Sequence, residues 1–405
     1  MTVLHGSWVA VLAIVCVVWL VRHKHIWAAR HLRPPLNSRM YADASRELPA
    51  IGMLVAAKDE AANIESCLRS LIDQDYPELK LIAIDDRSTD GTGDIIDRLA
   101  GESPGLSAVH VQVLQSGWFG KNNAMREGVA QTREPWLCFT DADCVQTSPR
   151  SLTVAMRYAL EQGADLLSIL PTIEAHSFWE RVIQPACGAI MMIWFNPTRV
   201  NDPRRANAYA NGAFMLMRRS CYDAIGGHAA VRTEVNEDMH MARRTKEAGL
   251  RLIVVSNDDL YHVRMYDTLG KMWSGWSRIF YGCFETYRRL IISSLAVVVF
   301  SLLSWLSLAA GVAGWESDSG FGRWAPWIAG ASLAACLAQV SVMARFYRLS
   351  RIHPAYALLY PVGVTIALGA LFNAMRRLHG RAATVWRGTT YRGDQVEGDV
   401  ERAGR

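Results

Sequence analysis

Between Ile51 and about Asp259, short apolar runs alternate with amphipathic stretches, and this rhythm predicts an α/β domain. Ile51 to Ala57, Leu79 to Ile84, Val109 to Leu114, Trp136 to Phe139 and Leu166 to Leu170 read as strands. Glu60 to Leu71, Thr92 to Ala100, Asn122 to Gln131 and Pro149 to Gln162 read as the intervening helices. Asp90-Gly91 is a turn signal just ahead of a helix start. The ends of the chain follow another pattern, with apolar runs long enough to cross a bilayer.

Leu4 to Val21 is the first of these runs, and Arg22, Lys24, Arg30 and Arg33 follow it. Charge after the run rather than before it predicts an uncleaved anchor, with the N-terminus outside and the next domain in the cytosol. Arg22 to Pro49, with Pro34-Pro35 inside, reads as a basic linker. After Tyr266, residues Lys271 to Arg289 mix aromatics with cations, as suits a helix lying among lipid headgroups. Leu290 to Gly314 and Ala325 to Ala344 are long enough to span. His353 to Phe372 is long enough too, but its prolines and basic flanks also fit a re-entrant or interface-lying element. The expected organisation is an anchor (1–22), a basic linker (23–47), the α/β domain (48–268), an interfacial segment (269–289), C-terminal membrane segments (290–374) and a basic cytosolic tail (375–405). Such a chain is expected as a multi-pass protein of a bacterial-type inner (cell) membrane.

Composition narrows this further. Of 405 residues, 51% are hydrophobic and 20% charged, which excludes disorder for most of the chain. The net charge of +5 gathers beside the apolar runs and not in a stripe, so no nucleic-acid partner is expected. Eight cysteines form no CxxC pair and read as reduced thiols of a cytosol-facing protein.

Three acidic clusters carry the candidate chemistry: Asp85-Asp86 in IAIDDRSTDGT, Asp141 and Asp143 in CFTDADC, and Glu237-Asp238 in VNEDMH. The first two follow apolar strands, and strand ends gather at the ligand-binding edge of an open α/β sheet. In a strand alternate side chains share a face, so both carboxylates of the DxD pair could reach one Mg²⁺ or Mn²⁺. Such an ion would neutralise the diphosphate of a nucleotide-sugar leaving group. A solvated acidic turn is the plainer explanation of a DxD alone. Asp85 or Asp86 could accept from uracil N3–H or meet the ribose, though such clusters also simply make turns. Lys121, after Gly117-Trp118-Phe119-Gly120, would bring a point charge to the nucleotide. Asp238, with Glu237 beside it, is the candidate general base, because adjacent carboxylates resist joint ionisation and raise one pKa. Acidic residues at a helix start also simply match the macrodipole. Trp276 and Arg278 could pack on an acceptor and clamp a diphosphate, or form an aromatic membrane belt. Phe178 to Phe195 could lie against the bilayer beside the acceptor or be an ordinary buried helix.

The segments VAAKDEAANI, LIDQDYP, DDRSTDGT, GWFGKNNAM, FTDADC, NGAFMLMRR, AIGGH and NED occur in the order in which family 2 glycosyltransferases carry them. Over about residues 48 to 290 the chain resembles the membrane-anchored members of that family. The overall layout is similar to ceramide glucosyltransferases, and SFWERVIQP with VNDPRR looks closer to the hopene-associated and carotenoid-type bacterial enzymes. The resemblance implies a GT-A fold, a Rossmann-like mixed sheet of the nucleotide-diphospho-sugar transferases, with N-terminal and C-terminal transmembrane helices. It implies inverting transfer from a UDP-sugar to a lipid acceptor (hopanoid, carotenoid or sphingolipid-like) at the cytosolic membrane face. Transfer to a polyprenyl phosphate is an alternative, and a lipid nucleotidyltransferase or inactive scaffold are rivals of other classes. By position, Glu60 and Asp86 would contact the uridine, Lys121 the nucleotide, Asp141 and Asp143 the metal, and Asp238 the acceptor hydroxyl. Where processive and ceramide-type relatives carry Q/RxxRW, this chain reads WSGWSR.

Overall fold

The structure, a computed structural model, describes residues 2–32, 34–42, 47–316, 320–379, 384–386, 389–392 and 395–399. The chain divides into two compact units. One is Arg33–Glu174, Phe195–Met265 and Gly380–Arg405; the other is Met1–Leu32, Ala175–Trp194 and Tyr266–His379.

In the first unit the strands are β1 (Ile51–Ala57), β2 (Leu79–Asp86), β3 (Leu106–Val111), β4 (Trp136–Asp141), β5 (Cys144–Gln146), β6 (Leu166–Leu170), β7 (Thr172–Ile173), β8 (Met215–Arg218), β9 (Leu252–Ser256) and β10 (Tyr261–Val263). Seven of them form a mixed sheet in the order β3-β2-β1-β4-β8-β6-β9, while β5, β10 and β7 make a small second sheet. β1 pairs in parallel with both β2 and β4, with Ala57 opposite Asp85 and Ala56 opposite Asp141. Their carboxyl ends therefore lie at one edge. β4–β8 and β8–β6 are antiparallel, which makes the sheet mixed.

Both faces are covered, as the near-continuous apolar runs of the parallel strands require. Met53 and Val55 face one core with Leu81, Ala83 and Cys138, while Leu54 faces the other with Ile82, Ile84 and Phe139. This is period-two alternation with an apolar layer on either side. Helix Gly120–Ala130 packs so closely on β1 and β2 that a Cβ on Gly128 would lie 2.7 Å from Ile84 Cδ1.

Several expected boundaries move. β3 starts earlier than the run from Val109, and the helix expected from Glu60 starts at Ile64. Residues 60–63 spend their backbone on a loop, with the Glu60 N–H donating to Thr92 Oγ1 at 2.8 Å. The basic linker is also corrected. The first helix runs Thr2–Leu32, and the following residues are built into the α/β unit. Leu36 is fully buried there and bridges Asn257, and Ser38 hydrogen bonds the Asp259 carboxylate. The tail contains a three-stranded antiparallel sheet of β11 (Thr384–Trp386), β12 (Thr389–Arg392) and β13 (Gln395–Asp399).

The second unit is helical. Val3–Trp27, Tyr287–Ala313, Ala325–Leu349 and Pro354–Leu378 are each long and apolar enough to cross a membrane. Helix Pro354–Leu378 meets the length requirement despite its prolines because Pro354 and Pro361 stand at the starts of helical segments, where no donor is lost. Small residues let the helices approach: a Cβ on Gly363 would sit 2.2 Å from the Val182 carbonyl oxygen. Helix Phe178–Trp194 belongs to this unit, with Ile190 buried and the Trp194 indole donating to Ser293 Oγ at 2.8 Å. Helix Leu269–Phe284, expected to be interfacial, buries Trp276, Phe280 and Phe284 on one face and leaves Trp273 exposed on the other.

Candidate active site

Lys121 joins two of the three acidic clusters. Its Nζ lies 2.6 Å from Asp141 Oδ1 and 2.7 Å from Glu237 Oε1. Burial opposes the charge, but Asp141 and Glu237 together outweigh it and hold the ammonium well above the usual lysine range. Lys121 stands in the first turn of helix Gly120–Ala130. The next residue, Asn122, donates to the carbonyls of Val231 and Glu234 at 2.7 and 2.9 Å, and the Phe119 N–H donates to the Arg232 carbonyl at 2.7 Å. The GWFGKNN segment thus fastens the loop that leads into helix Glu237–Glu247.

Asp238, at the start of that helix, is half-buried. Its Oδ2 accepts from the Gly212 N–H at 2.8 Å and its Oδ1 from the Met239 N–H at 2.7 Å. Burial and then the Glu237 charge push its carboxyl up to about 7, against the opposing pull of Lys121 and the two N–H donors. Gly212 lies in a loop held at both ends. The Asn211 N–H donates to Ser168 Oγ on β6, and Thr140 Oγ1 on β4 donates to the Ala213 carbonyl. A Cβ on Gly212 would lie 3.2 Å from Lys121 Nζ, 3.5 Å from Asp238 Oδ2 and 3.7 Å from Asp141 Oδ2. Lys121, Asp141, Asp238 and Gly212 therefore surround one small space, although more than a hundred residues separate the first from the third.

Asp141 closes β4, but Asp143 lies in the turn that follows and not on the strand. Alternation along a strand therefore does not bring the two carboxylates together; the turn does. Burial, then Asp141, then Glu60 push the Asp143 carboxyl up to about 7.

A hard divalent cation fits this donor set. Asp143 is a carboxylate with carboxylate neighbours, and no ion pair to it is found among the described residues. No group of three or more His, Cys, Asp or Glu side chains forms a complete cage among those residues either. Mg²⁺ characteristically uses one or two protein carboxylates and takes its other ligands from phosphates and water.

Asp85 and Asp86 are adjacent strand residues and face opposite ways. Asp85 accepts from the Ser88 N–H at 3.2 Å and lies 3.3 Å from His110 Nδ1, its neighbour in register on β3. Asp86 is engaged instead by Arg87, with Nε and Nη2 donating to its two oxygens at 2.8 and 3.1 Å. The loops after β1 and β2 are tied by Asp59, which accepts from the Thr89 N–H, and by Asp90, which accepts from the Ala61 N–H. Trp276 and Arg278 belong to the helical unit, where the Trp276 indole donates to Gln184 Oε1 at 3.0 Å and Arg278 is half-buried. Sequence reasoning assigned no role to Gly212, Asn122 or Arg87. The first two lie inside the motifs NGAF and GKNN, and their small or amide side chains were the available signal.

Relatives bear on this arrangement. A beta-monoglucosyldiacylglycerol synthase of Synechocystis sp. is 31% identical over 230 residues, which cover 55% of this chain and 45% of that protein. Its Nostoc sp. counterpart is 29% identical over 183 residues, covering 44% of this chain and 38% of that one. The matched stretch thus spans less than half the length of either relative. A solved mannosyltransferase from Pyrobaculum calidifontis, in complex with GDP-Man and Mn²⁺, shares 17% identity with a TM-score of 0.49 over 87% of this chain and 99% of its own. Residues 49–273, more than half of the chain, match the family described as glycosyltransferase like family 2; the chain belongs to that family, and the mixed sheet that ends at Asp141 is the GT-A fold of a glycosyltransferase.

Proposed function

We propose that this enzyme transfers a sugar from a UDP-sugar to the hydroxyl of a membrane lipid, with inversion, at the cytosolic face. The observation that carries this reading is the space bounded by Gly212, Lys121, Asp141 and Asp238. It sets a candidate base opposite a cationic and carboxylate-lined wall, the arrangement that attack on an anomeric carbon requires. Asp238 takes the acceptor proton as the oxygen attacks. Glu237 raises the basicity of Asp238 and, with Asp141, holds Lys121 toward the departing diphosphate. Asp143, with Asp141, would hold Mg²⁺ or Mn²⁺, which supplies charge neutralisation to the leaving group when bound. Glu60 and Asp86 serve the uridine end, and Asp85 organises the loop.

The lipid acceptor is supported by the apolar surface of the helical unit. Leu295, Leu306, Val312, Trp327, Leu337, Leu358 and Phe372 are all exposed on its spanning helices. So much exposed apolar surface fits a bilayer and not water. The domain boundaries of the proposal follow the expectation of an anchor, a catalytic domain near residues 48–268 and C-terminal membrane segments. The basic residues after the first span favour a cytosolic catalytic domain. The names of the Synechocystis and Nostoc relatives favour a neutral lipid hydroxyl, such as that of diacylglycerol, over a polyprenyl phosphate.

The test is transfer by the purified full chain from radiolabelled UDP-sugars into vesicles carrying diacylglycerol, sterol-like or polyprenyl-phosphate acceptors. Label in a neutral glycolipid, lost with Asp238→Asn, supports the proposal. Label confined to polyprenyl phosphate and indifferent to Asp238→Asn overturns it.

A further inference from the structure

His110 stands on β3 directly in register with Asp85 on β2, and its ring is held between two carboxylates. Its Nδ1 lies 3.3 Å from Asp85 Oδ2, and its Nε2 lies 2.8 Å from Asp97 Oδ1 on helix Thr92–Glu102. Among the described residues the ring makes no other ion pair. Strand alternation turns Val109 and Val111 to the layer packed by helix Gly120–Ala130, so the ring faces helix Thr92–Glu102. A carboxylate only accepts, so both contacts are hydrogen bonds only when the imidazole carries both protons. The Asp97 hydrogen bond, with Asp85 behind it, outweighs burial and holds the imidazolium above the usual histidine range.

Asp85 passes this restraint to the loops after β1 and β2. Its Oδ1 accepts from the Ser88 N–H at 3.2 Å, and Ser88 Oγ accepts from the Asp59 N–H at 3.0 Å. Asp59 in turn accepts from the Thr89 N–H at 2.8 Å. Glu60, the residue expected at the uridine, follows Asp59 in the chain. Asp59 and Arg87 both hold positive φ, +52° and +58°. In residues other than glycine such geometry persists where the surroundings over-determine it, and it collects at ligand sites.

We propose that His110 is a positioning residue of the nucleotide pocket: as an imidazolium it fixes Asp85, and through Asp85 and Ser88 it fixes the loop that presents Glu60. The proposal rests on the nucleotide-sugar reading above and adds to it a residue that acts through its neighbours. Loss of the second ring proton reverses the Asp85 contact. Nε2 keeps its proton because it makes the shorter bond, and Nδ1 then turns a lone pair toward an anionic oxygen. Asp85 gives way, the loop loosens, and the pocket has to be ordered again when nucleotide binds. The support is therefore whole at low pH. It is lost as pH rises through the raised value of the imidazolium, above 6.5.

The experiment measures UDP binding with Mg²⁺ by calorimetry at pH 6 and pH 9, on the detergent-solubilised full chain and its His110→Gln and His110→Arg variants. Asp143 and Asp238 titrate between those values, so each variant is compared with the parent at one pH. At pH 6 the parent should bind about threefold to fivefold more tightly than His110→Gln, the scale of a partly exposed charged contact. At pH 9 the two should agree within about 1.5-fold, while His110→Arg, charged throughout, should bind more tightly than the parent. Thermal unfolding without nucleotide monitors folding. A His110→Gln deficit of equal size at both pH values marks plain packing and overturns the proposal. So does parent-like affinity of His110→Gln at pH 6. NMR of ¹³C-labelled histidines provides a reading that needs no nucleotide. The resonance absent from both variants should titrate with a midpoint above 6.5, and a lower midpoint overturns the proposal. A parent that binds no UDP at either pH, with that midpoint above 6.5, overturns the nucleotide-sugar reading, and the proposal then fails through the donor and not through the ring.

Discussion

The main-chain N–H of Gly212 donates to Asp238 Oδ2 at 2.8 Å, so a loop between β6 and β8 aims a helix-borne carboxylate 26 residues later in the chain. Because Met239 N–H takes the other oxygen, each carboxylate oxygen has one fixed donor and the plane of the group is set. A base held in one orientation loses little freedom when the acceptor arrives. It also keeps its pKa near neutrality, because burial and Glu237 outweigh the donors.

That balance gives the rate a pH dependence. A base works deprotonated, so transfer should rise as pH rises through about 7 and then level off. Replacing Glu237 with Gln removes a charge that raises the Asp238 pKa, so the rising limb should move to lower pH. Initial rates measured from pH 5 to 9 in both proteins check the sign. A limb that moves to higher pH would show that Glu237 acts mainly through Lys121.

Lys121 is the cation shared by Asp141 and Glu237, and Lys121→Met leaves both carboxylates unpaired. Glu237 is almost fully buried, but the Asp141 side chain is 38% exposed and partly screened. The expected cost is therefore roughly 2 kcal/mol, below that of breaking a fully buried pair. Thermal unfolding of parent and variant measures this, and donor binding should be lost in the variant.

The proposed metal role can be tested independently. Asp143→Ala, or a chelator with the parent enzyme, should lower transfer at least about a hundredfold, because several kcal/mol of leaving-group stabilisation vanish. Titration of Mn²⁺ with UDP present, followed by paramagnetic relaxation of water, should show a site that Asp143→Ala loses. Full transfer in chelator excludes the role.

His228 provides a stability signature. Burial, and then the Lys121 charge, push its imidazole down to about 3, and the Tyr222 hydroxyl lies 3.0 Å from its Nδ1. The unfolded chain protonates this group near its ordinary value of about 6.5 while the folded chain does not. Stability is therefore whole above about 6.5, falls as pH drops from there toward 3, and is flat below. At pH 5 the loss is about 2 kcal/mol. In His228→Phe the slope between pH 6.5 and 4 should be smaller by about one proton, as denaturant midpoints at several pH values would show.

The sheet was legible because buried parallel strands leave continuous apolar runs, and β1 and β6 fall where those runs lie. The acidic clusters were legible for a related reason: strand ends at one edge concentrate polar groups. The geometry inside each cluster was not. Whether Asp143 continued the strand depended on one turn at Ala142, and a DxD spelling is compatible with either. Asp85 and Asp86 read as a pair, but pleating divides them, one toward His110 and one toward Arg87. Gly212 was illegible in role because its contribution is a main-chain N–H aimed at Asp238, and a glycine in the sequence shows the missing Cβ but not where the N–H points. The first helix outran its apolar run because Arg22 to Leu32 has ordinary helix formers and no breaker before Pro34. Charge marked the end of the uninterrupted apolar run and not the end of the helix.

Trp276 illustrates the same difficulty in the helical unit, and a double-mutant cycle resolves it. Its indole N–H donates to Gln184 Oε1 at 3.0 Å, with both side chains buried. A tryptophan that stacks on an acceptor and one that locks two helices together spell the same motif. Gln184→Leu leaves the indole N–H without its acceptor and should cost about 1–3 kcal/mol. Trp276→Phe keeps most of the ring surface but removes the donor. It leaves the Gln184 amide, whose nitrogen already lacks a partner, with neither group satisfied. The double variant removes both polar partners, so its cost should fall short of the sum of the singles by about 1 kcal/mol. Thermal unfolding in detergent gives that coupling. Transfer rates per folded enzyme provide the second reading. If Trp276 acts only as a helix contact, Trp276→Phe leaves the KM for lipid acceptor unchanged once the folded fraction is matched. An increase in that KM, with no coupling to Gln184, would move Trp276 from the packing of the helices to the acceptor.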